Sequence, residues 1–378
     1  MLRCFSAFPR PPHRIIVTLG QPHRGTGRMP MPIEEDTMQY RNLGNSGAVV
    51  SHLCLGTMTF GAESDEATSI AIMNDYVEAG GNFLDTADVY SAGISEEIVG
   101  RWLKTRKLRD LVIATKGRFP MGNGPNHIGL SRKHLTEALD ASLARLGVEQ
   151  IDLYQMHAWD ALTPIEETLR FLDDAISAGK IAYYGFSNFL GWQLTKAVWI
   201  AKMQGYAPPV TLQPQYNLLV RDIEHEIVPA CLDANMGLLP WSPLGGGWLS
   251  GKYKRDQMPT GTTRLGENPK RGMEAFEARN SDARTWDIIG ALEDIANARG
   301  ISMAQVALAW TAAQPAVTSV ILGVRTREQL KDNLGAASLE LTAEELSSLD
   351  AASKPHMADY PYGKGGINQR HRKIEGGR

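Results

Sequence analysis

Eight short apolar runs punctuate this 378-residue chain, and the residues at their C-terminal ends carry unusual chemistry. The second run ends in Asp85, the third in Lys116 and the fourth in His157. The fifth ends in Ser187 and Asn188, the sixth in Gln213, the seventh in Ser242, and the eighth in Gly323 with Arg325 just beyond. One polar residue at such a place is ordinarily a helix cap or a turn former. A carboxylate, an ammonium, an imidazole and then a series of hydroxyls and amides form a constellation. If the runs are parallel strands closed into a barrel, all these ends lie on one face, where such folds build their sites. A carboxylate next to an ammonium keeps that cation charged and oriented. An imidazole or cation facing a reacting oxygen stabilises developing negative charge and directs a proton. Two other patterns carry less than they promise. Gly246-x4-Gly251-Lys252 has the spacing of a phosphate-binding loop, but Tyr253 stands where a magnesium-ligating Ser or Thr belongs, which excludes nucleotide hydrolysis. His225-Glu226 lacks the second histidine of a zinc-protease helix, since Pro229 occupies that place. His52 and His134, like His225, read as ordinary hydrogen-bonded histidines.

The runs are Leu53–Gly56, Asn82–Asp85, Leu111–Lys116, Ile151–His157, Ile181–Asn188, Val210–Gln213, Gly237–Ser242 and Ser319–Gly323. They are nearly continuously apolar, as expected of strands buried on both faces. Between them lie amphipathic stretches with helix-start signals. Thr163-Pro164-Ile165-Glu166, Ser302 with Gln305, Thr326 with Gln329, and Thr342 with Glu345 have capping-box spacing. Ala138, Leu139, Ser142, Leu143 and Leu146 recur at helical spacing. Eight strands alternating with helices predict a parallel α/β fold, either a closed barrel or an open doubly wound sheet. The open dinucleotide-binding sheet normally shows G-x-G-x-x-G after its first strand, and no such run exists here. The expectation is therefore a (β/α)₈ barrel spanning residues 38–350. A turn signal at Asn45–Gly47 predicts a β-hairpin before the first barrel strand. Gly245 to about Asn280 forms a long insertion after strand 7, the kind of loop that often serves as a lid. Residues 351–378 read as a mobile C-terminal tail.

Several segments together resemble the aldo-keto reductase superfamily. They are Leu84-Asp85-Thr86-Ala87-Asp88-Val89-Tyr90 followed by Gly93, Ser95, Glu96 and Gly100; Thr115-Lys116; Gln155-Met156-His157; Gly185-Phe186-Ser187-Asn188; Gln213-Pro214-Gln215-Tyr216-Asn217; Trp241-Ser242-Pro243-Leu244; and Gly323-x-Arg325 through Asn333. The segments follow one another in order, and the resemblance covers Gln39 to about Leu349. The resemblance implies a (β/α)₈ barrel that binds NADPH/NADP+ without a Rossmann domain and interconverts carbonyls and alcohols. It places a catalytic tetrad on Asp85, Tyr90, Lys116 and His157. A free tyrosine titrates near ~10, and Lys116 is expected to lower that value and make Tyr90 the proton donor. The resemblance assigns Ser187, Asn188 and Gln213 to the nicotinamide carboxamide and Tyr216 to a stack on its ring. It assigns Gly56, Thr57, Met58, Trp241, Ser242, Pro243, Leu244, Gly246, Leu249 and Lys252 to the cofactor cleft. Gly323 and Arg325 follow, with Arg325 suited to the 2′-phosphate by its forked donors, and Gln329 and Asn333 are assigned to adenine. Phe60, Trp159 and the Arg118–Asn126 loop are candidates for the substrate pocket, which would favour bulky or aryl carbonyls. Leu130-Ser131-Arg132-Lys133-His134 and Ala141–Leu146 also resemble potassium-channel β subunits, regulatory barrels that lack the tetrad histidine. A class I aldolase using Lys116 as a Schiff-base lysine would leave Ser187, Asn188, Gln213 and Arg325 unexplained.

Composition agrees with a large globular core: 43% hydrophobic and 21% charged residues, with a net charge of −3. That charge gives no reason to expect nucleic acid or a membrane surface as partner, and no apolar stretch has membrane-spanning length. Cys4, Cys54 and Cys231 fit no metal or disulfide framework, which suggests a reducing, cytoplasmic setting and no metal. Residues 1–33 carry five arginines and no acid; without those five the net charge from Glu34 onward is −8. Residues 1–37 read as a disordered or mis-called N-terminal extension, with an Arg-rich transit peptide as the alternative. The physiological substrate, the favoured direction and the oligomeric state have no signature in the sequence.

Overall fold

The computed structural model describes residues 38–106, 109–270, 272–357, 359–363 and 365–366. The extension expected over residues 1–37, and the tail beyond 366, lie outside the described residues. Strands β1 (Tyr40–Asn42) and β2 (Val49–Ser51) pair antiparallel, Tyr40 opposite Ser51, as the turn signal predicts. The barrel strands are β3 (Leu53–Gly56), β4 (Phe83–Asp85), β5 (Val112–Gly117), β6 (Ile151–Met156), β7 (Ile181–Ser187), β8 (Thr211–Gln213), β9 (Gly237–Leu238) and β10 (Val320–Gly323). They form one parallel sheet in the order β10-β3-β4-β5-β6-β7-β8-β9. The sheet closes on itself between β9 and β10. Leu238 N–H donates to Ala316 O (2.7 Å), Thr318 N–H to Leu238 O (2.9 Å) and Ile321 N–H to Pro240 O (3.0 Å). Helices follow the strands, among them Glu66–Glu78, Ile94–Lys104, Arg132–Leu146, Ile165–Ser177, Gly191–Gln204 and Arg327–Leu334. This is the (β/α)₈ barrel expected from the sequence.

Period-2 alternation along each strand sorts the residues into two environments. Leu53, Leu55, Leu84, Tyr154, Met156, Phe186, Leu212 and Leu322 point outward and pack under the helices. Cys54, Phe83, Ala114, Leu153, Leu239 and Ile321 point inward and fill the lower barrel, and Val210, just before β8, packs among them. Leu43 and Val50, from the hairpin, join that inner cluster and close its lower end. Two residues beyond Phe83, Ala114 and Leu153 the same alternation turns Asp85, Lys116 and Gln155 inward, and Gln213, at the end of β8, meets them through its bond to Asp85; all four are buried. An apolar plug therefore sits beneath a polar layer.

Helix starts follow the capping signals unevenly. Thr342 and Glu345 form the full reciprocal box, and Ser302 and Thr326 each accept the N–H three residues on. At Thr163 no box forms. Pro164 caps the helix, and Thr163 Oγ1 instead donates to Asp160 Oδ2 (2.6 Å), a carboxylate that also gathers the N–H groups of Leu130 and Leu162.

Candidate active site

Lys116 lies at the end of β5, fully buried, and its three donors are all used. Nζ donates to Asp85 Oδ1 (2.5 Å), to Thr86 O (2.7 Å) and to Tyr90 Oη (3.1 Å). Asp85 Oδ2 in turn accepts from Gln155 Nε2 (3.1 Å) and Gln213 Nε2 (2.8 Å). Every carboxylate oxygen and ammonium hydrogen is thus satisfied, the condition under which a buried ion pair is tolerated. Burial alone would lower the Lys116 value, but Asp85 and Tyr90 outweigh it, and the ammonium titrates above its usual range. Lys116 is held as a cation, which opposes its use as a Schiff-base nucleophile.

Tyr90 opens the turn after β4. The next two residues, Ser91 (φ 49°) and Ala92 (φ 54°), adopt the left-handed region, and Ser91 Oγ donates to Phe60 O (2.9 Å). Such conformations cost free energy and persist only where surrounding contacts impose them; here they bring the phenol over Lys116. Lys116 does not bring the phenol below its usual value, contrary to expectation. Burial pushes Tyr90 up, and the nearby ammonium offsets only part of that. Tyr90 is therefore a protonated donor at neutral pH. His157, just beyond β6, sits with its ring centroid 5.9 Å from that of Tyr90 and 4.7 Å from that of Phe119. Burial, then Lys116 and Arg118, hold the imidazole well below its usual value, so it is neutral. A neutral imidazole donates one hydrogen bond without adding charge.

Tyr90 and His157 open onto a cleft of about 660 Å³ across the top of the barrel. Asp85, Ser187, Asn188 and Gln213 line the same end. Ser187 Oγ donates to Gln213 O (2.8 Å), and Asn188 bridges its neighbours, Nδ2 to His157 O (3.0 Å) and Oδ1 from Trp241 Nε1 (3.1 Å). The wall continues through Trp241, Ser242, Pro243, Leu244 and Gly246 to Lys252. Gly245, Gly246 and Gly247 all take positive φ (56°, 65°, 100°), a course open to glycine that keeps backbone at the cleft surface. The far end holds Gly323, Arg325, Gln329 and Asn333, with Gly56 paired beside Gly323 on the neighbouring strand and Met58 lining the same cleft. Among the described residues no group of three or more His, Cys, Asp or Glu is placed to hold a metal ion.

The aldo/keto reductase family profile matches residues 52–354. The chain belongs to the aldo/keto reductase family. It is 38% identical over 326 residues to an uncharacterised oxidoreductase, YrpG, of Bacillus subtilis, an alignment covering 83% of this chain and 95% of the relative. It is 38% identical over 330 residues to a probable voltage-gated potassium channel subunit beta of Oryza sativa, covering 85% and 99%. It is 34% identical over 343 residues to the versiconal hemiacetal acetate reductase of Aspergillus parasiticus, covering 84% and 98%. The aldo/keto reductase fold and an oxidoreductase class follow.

The cleft of this aldo/keto reductase fits a nicotinamide dinucleotide in its donor set. Amides and hydroxyls gather at the tetrad end, and two cations, Lys252 and Arg325, stand at the other. Burial, and Arg325 after it, lower Lys252 from its ordinary value. Five residues expected at the cleft or pocket lie elsewhere. Tyr216 does not face the cleft: past β8, Gln213 and Gln215 alternate inward, so Tyr216 turns outward against Trp310 and donates to Glu224 Oε1 (2.7 Å). The aromatic at the nicotinamide end is Trp241. Thr57 also falls on the outward alternate; its Oγ1 reaches Ser95 Oγ (2.8 Å) and Asp85 O (3.2 Å). Leu249, on the short helix Gly245–Ser250, is fully buried in the core. Phe60 closes a tight turn, its N–H on Thr57 O (3.0 Å), and its ring is buried away from the cleft. Trp159 packs edge-on against Phe189 (5.2 Å) and Trp192 (5.5 Å).

Four functional neighbours were not picked out from sequence. Gln155 braces Asp85, and its inward place was readable from its position two residues before His157. Glu63 and Glu267 flank Arg325, with no local signal in the sequence. Asp88 is fully buried two residues before Tyr90, its N–H on Lys116 O (3.1 Å), and neither carboxylate oxygen has a well-aligned partner.

Proposed function

We propose that this aldo/keto reductase is an NADP-dependent enzyme that reduces aldehydes or ketones to alcohols, reversibly, with Tyr90 as the proton donor. The observation that carries the reading is the buried Lys116 ammonium, shared between Asp85 and Tyr90 Oη at the floor of the cleft. The cofactor, when bound, supplies a hydride to the carbonyl carbon. Tyr90 Oη gives its proton to the carbonyl oxygen, and the tyrosinate left behind lies 3.1 Å from an ammonium already oriented to receive it. Asp85 cannot swing away, because two amides hold its second oxygen. His157, neutral, donates to the same developing oxyanion. Ser187, Asn188 and Gln213 would hold the nicotinamide carboxamide, and Trp241 would stack on its ring. Arg325 would take the 2′-phosphate that distinguishes NADPH from NADH, its planar fork matching phosphate geometry. Phe119 beside His157, and Trp241 across the cleft, favour aryl or bulky carbonyls. The barrel reads as one domain, residues 38–350, working in the cytoplasm on small molecules. Cys54 and Cys231 as free, buried thiols accord with a reducing setting, and no described helix is long and apolar enough to cross a membrane.

One relative in particular favours a second reading. The probable channel β subunit of Oryza sativa is as similar as the oxidoreductase relative, so a regulatory barrel that binds cofactor and turns over weakly is the alternative. Binding of NADPH and NADH measured by fluorescence, followed by NADPH consumption with a panel of aryl and aliphatic aldehydes, separates the two. Tight NADPH binding with turnover supports the reductase. Binding without turnover across the panel moves the reading to the regulatory barrel, and no binding overturns both.

A further inference from the structure

The guanidinium of Arg325 already holds an anion from its own chain. Nη1 donates to Glu267 Oε1 (3.0 Å) and Nη2 to Glu267 Oε2 (3.2 Å), the paired geometry that a phosphate would adopt. Nη1 also donates to Thr262 O (3.2 Å), and Glu63 Oε1 lies 3.5 Å from Nη2. Glu267 belongs to the insertion after β9. It ends the one-turn helix Arg264–Glu267, whose start is capped by Thr263 Oγ1 on Gly266 N–H (3.0 Å), with Leu265 anchored in the core. Glu63 comes from a different element, the loop after β3, and that loop is fixed to the Arg325 segment through Thr59 Oγ1 to Val324 O (2.7 Å) and Ser64 Oγ to Arg325 O (3.0 Å). Arg325 is thus braced from one side by a fixed loop and capped on its fork by a carboxylate from the insertion. Lys252, a second cation of the same end of the cleft, adds to the positive field there.

We infer that Glu267 is a specificity-determining residue that stands in for the cofactor's 2′-phosphate, and that NADPH must displace its carboxylate from Arg325 in order to bind. The inference rests on the reading of Arg325 given under the proposed function. Glu267 occupies the Nη1/Nη2 edge of the guanidinium, and an edge donates to one bidentate anion at a time, so the affinity for a 2′-phosphate at that edge is the intrinsic affinity less the cost of breaking the internal pair. NADH carries a hydroxyl at that position and leaves the pair intact. Glu267 therefore narrows the gap between the two cofactors without touching the nicotinamide end.

The test is equilibrium binding by tryptophan fluorescence of NADPH, NADH, 2′-AMP and 5′-AMP to wild type, Glu267→Gln, Arg325→Ala and the double variant, with folding checked by circular dichroism. Glu267→Gln is expected to tighten NADPH and 2′-AMP by about two- to ten-fold, the range for a half-exposed ion pair with paired hydrogen bonds. NADH and 5′-AMP should change by less than about two-fold, and the gain should vanish when Arg325 is already alanine. Weaker NADPH binding by Glu267→Gln would overturn the inference, because Glu267 would then be orienting Arg325 for the phosphate. Equal tightening of NADH and NADPH would overturn it too. If wild type binds NADPH and NADH alike and Arg325→Ala changes neither, the assignment of Arg325 itself has failed. In that case 2′-AMP binds no better than 5′-AMP, an outcome distinct from a failure of Glu267 alone.

Discussion

Replacing Asp88 by asparagine should make stability less dependent on pH, and the structure sets the size of the effect. Asp88 is fully buried without a well-aligned hydrogen-bond partner. Burial, followed by the charge of Glu96, pushes its carboxyl up from 3.8 to about 7; the N–H of Val89, then Arg145 and Lys116, pull the other way only in part. Tyr154 faces it from β6 with a buried hydroxyl that also lacks a partner, and Tyr90 follows in its own loop. The native state thus keeps a proton that the unfolded chain gives up near ~4. The native state binds more protons than the unfolded state between those values, so stability is full below pH ~4, declines as pH rises, and levels off above about 7. At ~1.4 kcal/mol per pH unit the whole decline is about 4 kcal/mol, an upper figure that local relaxation reduces. An asparagine side chain there has the same shape and no proton to lose. Urea unfolding of wild type and Asp88→Asn at pH 5 and pH 8.5 spans the upper two units of that decline and should therefore show the variant gaining on wild type by up to about 3 kcal/mol between the two conditions, with a relative rise in Tm on the order of 5 °C. A difference that is the same at both pH values would refute the reasoning, since it would mean that Asp88 is ionised in the folded protein throughout.

Tyr90→Phe should lower turnover by roughly 10²–10⁴-fold while NADPH affinity stays nearly constant, measured by steady-state kinetics and fluorescence titration; unchanged turnover would remove Tyr90 as proton donor. Arg325→Ala should weaken NADPH by about 1.5–3 kcal/mol and NADH far less, and equal losses for both would remove it from the 2′-phosphate. Gly185→Val should impair folding, because a Cβ at that inner position would stand 2.1 Å from Thr211 Oγ1 and 2.8 Å from Thr211 O; a loss of about 1–3 kcal/mol or more on the scale of an overpacked core is expected in urea unfolding, and unaltered stability would mean the barrel wall yields there. Chelators should leave carbonyl reduction unchanged, and inhibition reversed by added zinc would reveal a metal requirement.

The barrel was legible because its strands are short, apolar and punctuated at their C-terminal ends by residues that do not belong in a core. Asp85, Lys116 and His157 could be read as convergent because each closes an apolar run, and period-2 alternation then sends all three inward. The same rule, applied past the strand end, would have separated Gln215 from Tyr216 and placed Trp241 in the cleft. The motif around Tyr216 carries no information on which face it takes; the alternation does. Phe60 and Trp159 lie in loops, where tight turns and aromatic neighbours decide direction and no period applies. The cationic neighbour of Tyr90 is visible in the sequence, whereas the burial that outweighs it depends on the closed barrel. The carboxylates around Arg325 were beyond reach, because Glu63 and Glu267 come from loops some 200 residues apart and meet only in the closed barrel.

The hairpin of Leu43 and Val50 gives the barrel a sealed bottom, and this makes the polar layer above it a blind-ended well. Lys116, Asp85 and Gln155 have apolar side chains beneath them and outer-facing strands around them. Their traffic with bulk water runs through the mouth where Tyr90 sits. A ligand lying across that mouth isolates the layer's protons from solvent for as long as it stays. On the proposed chemistry, the hydrogen that Tyr90 gives away is then replaced only after the product leaves, so recharging the donor belongs to the open form of the enzyme and turnover is gated by uncovering the well.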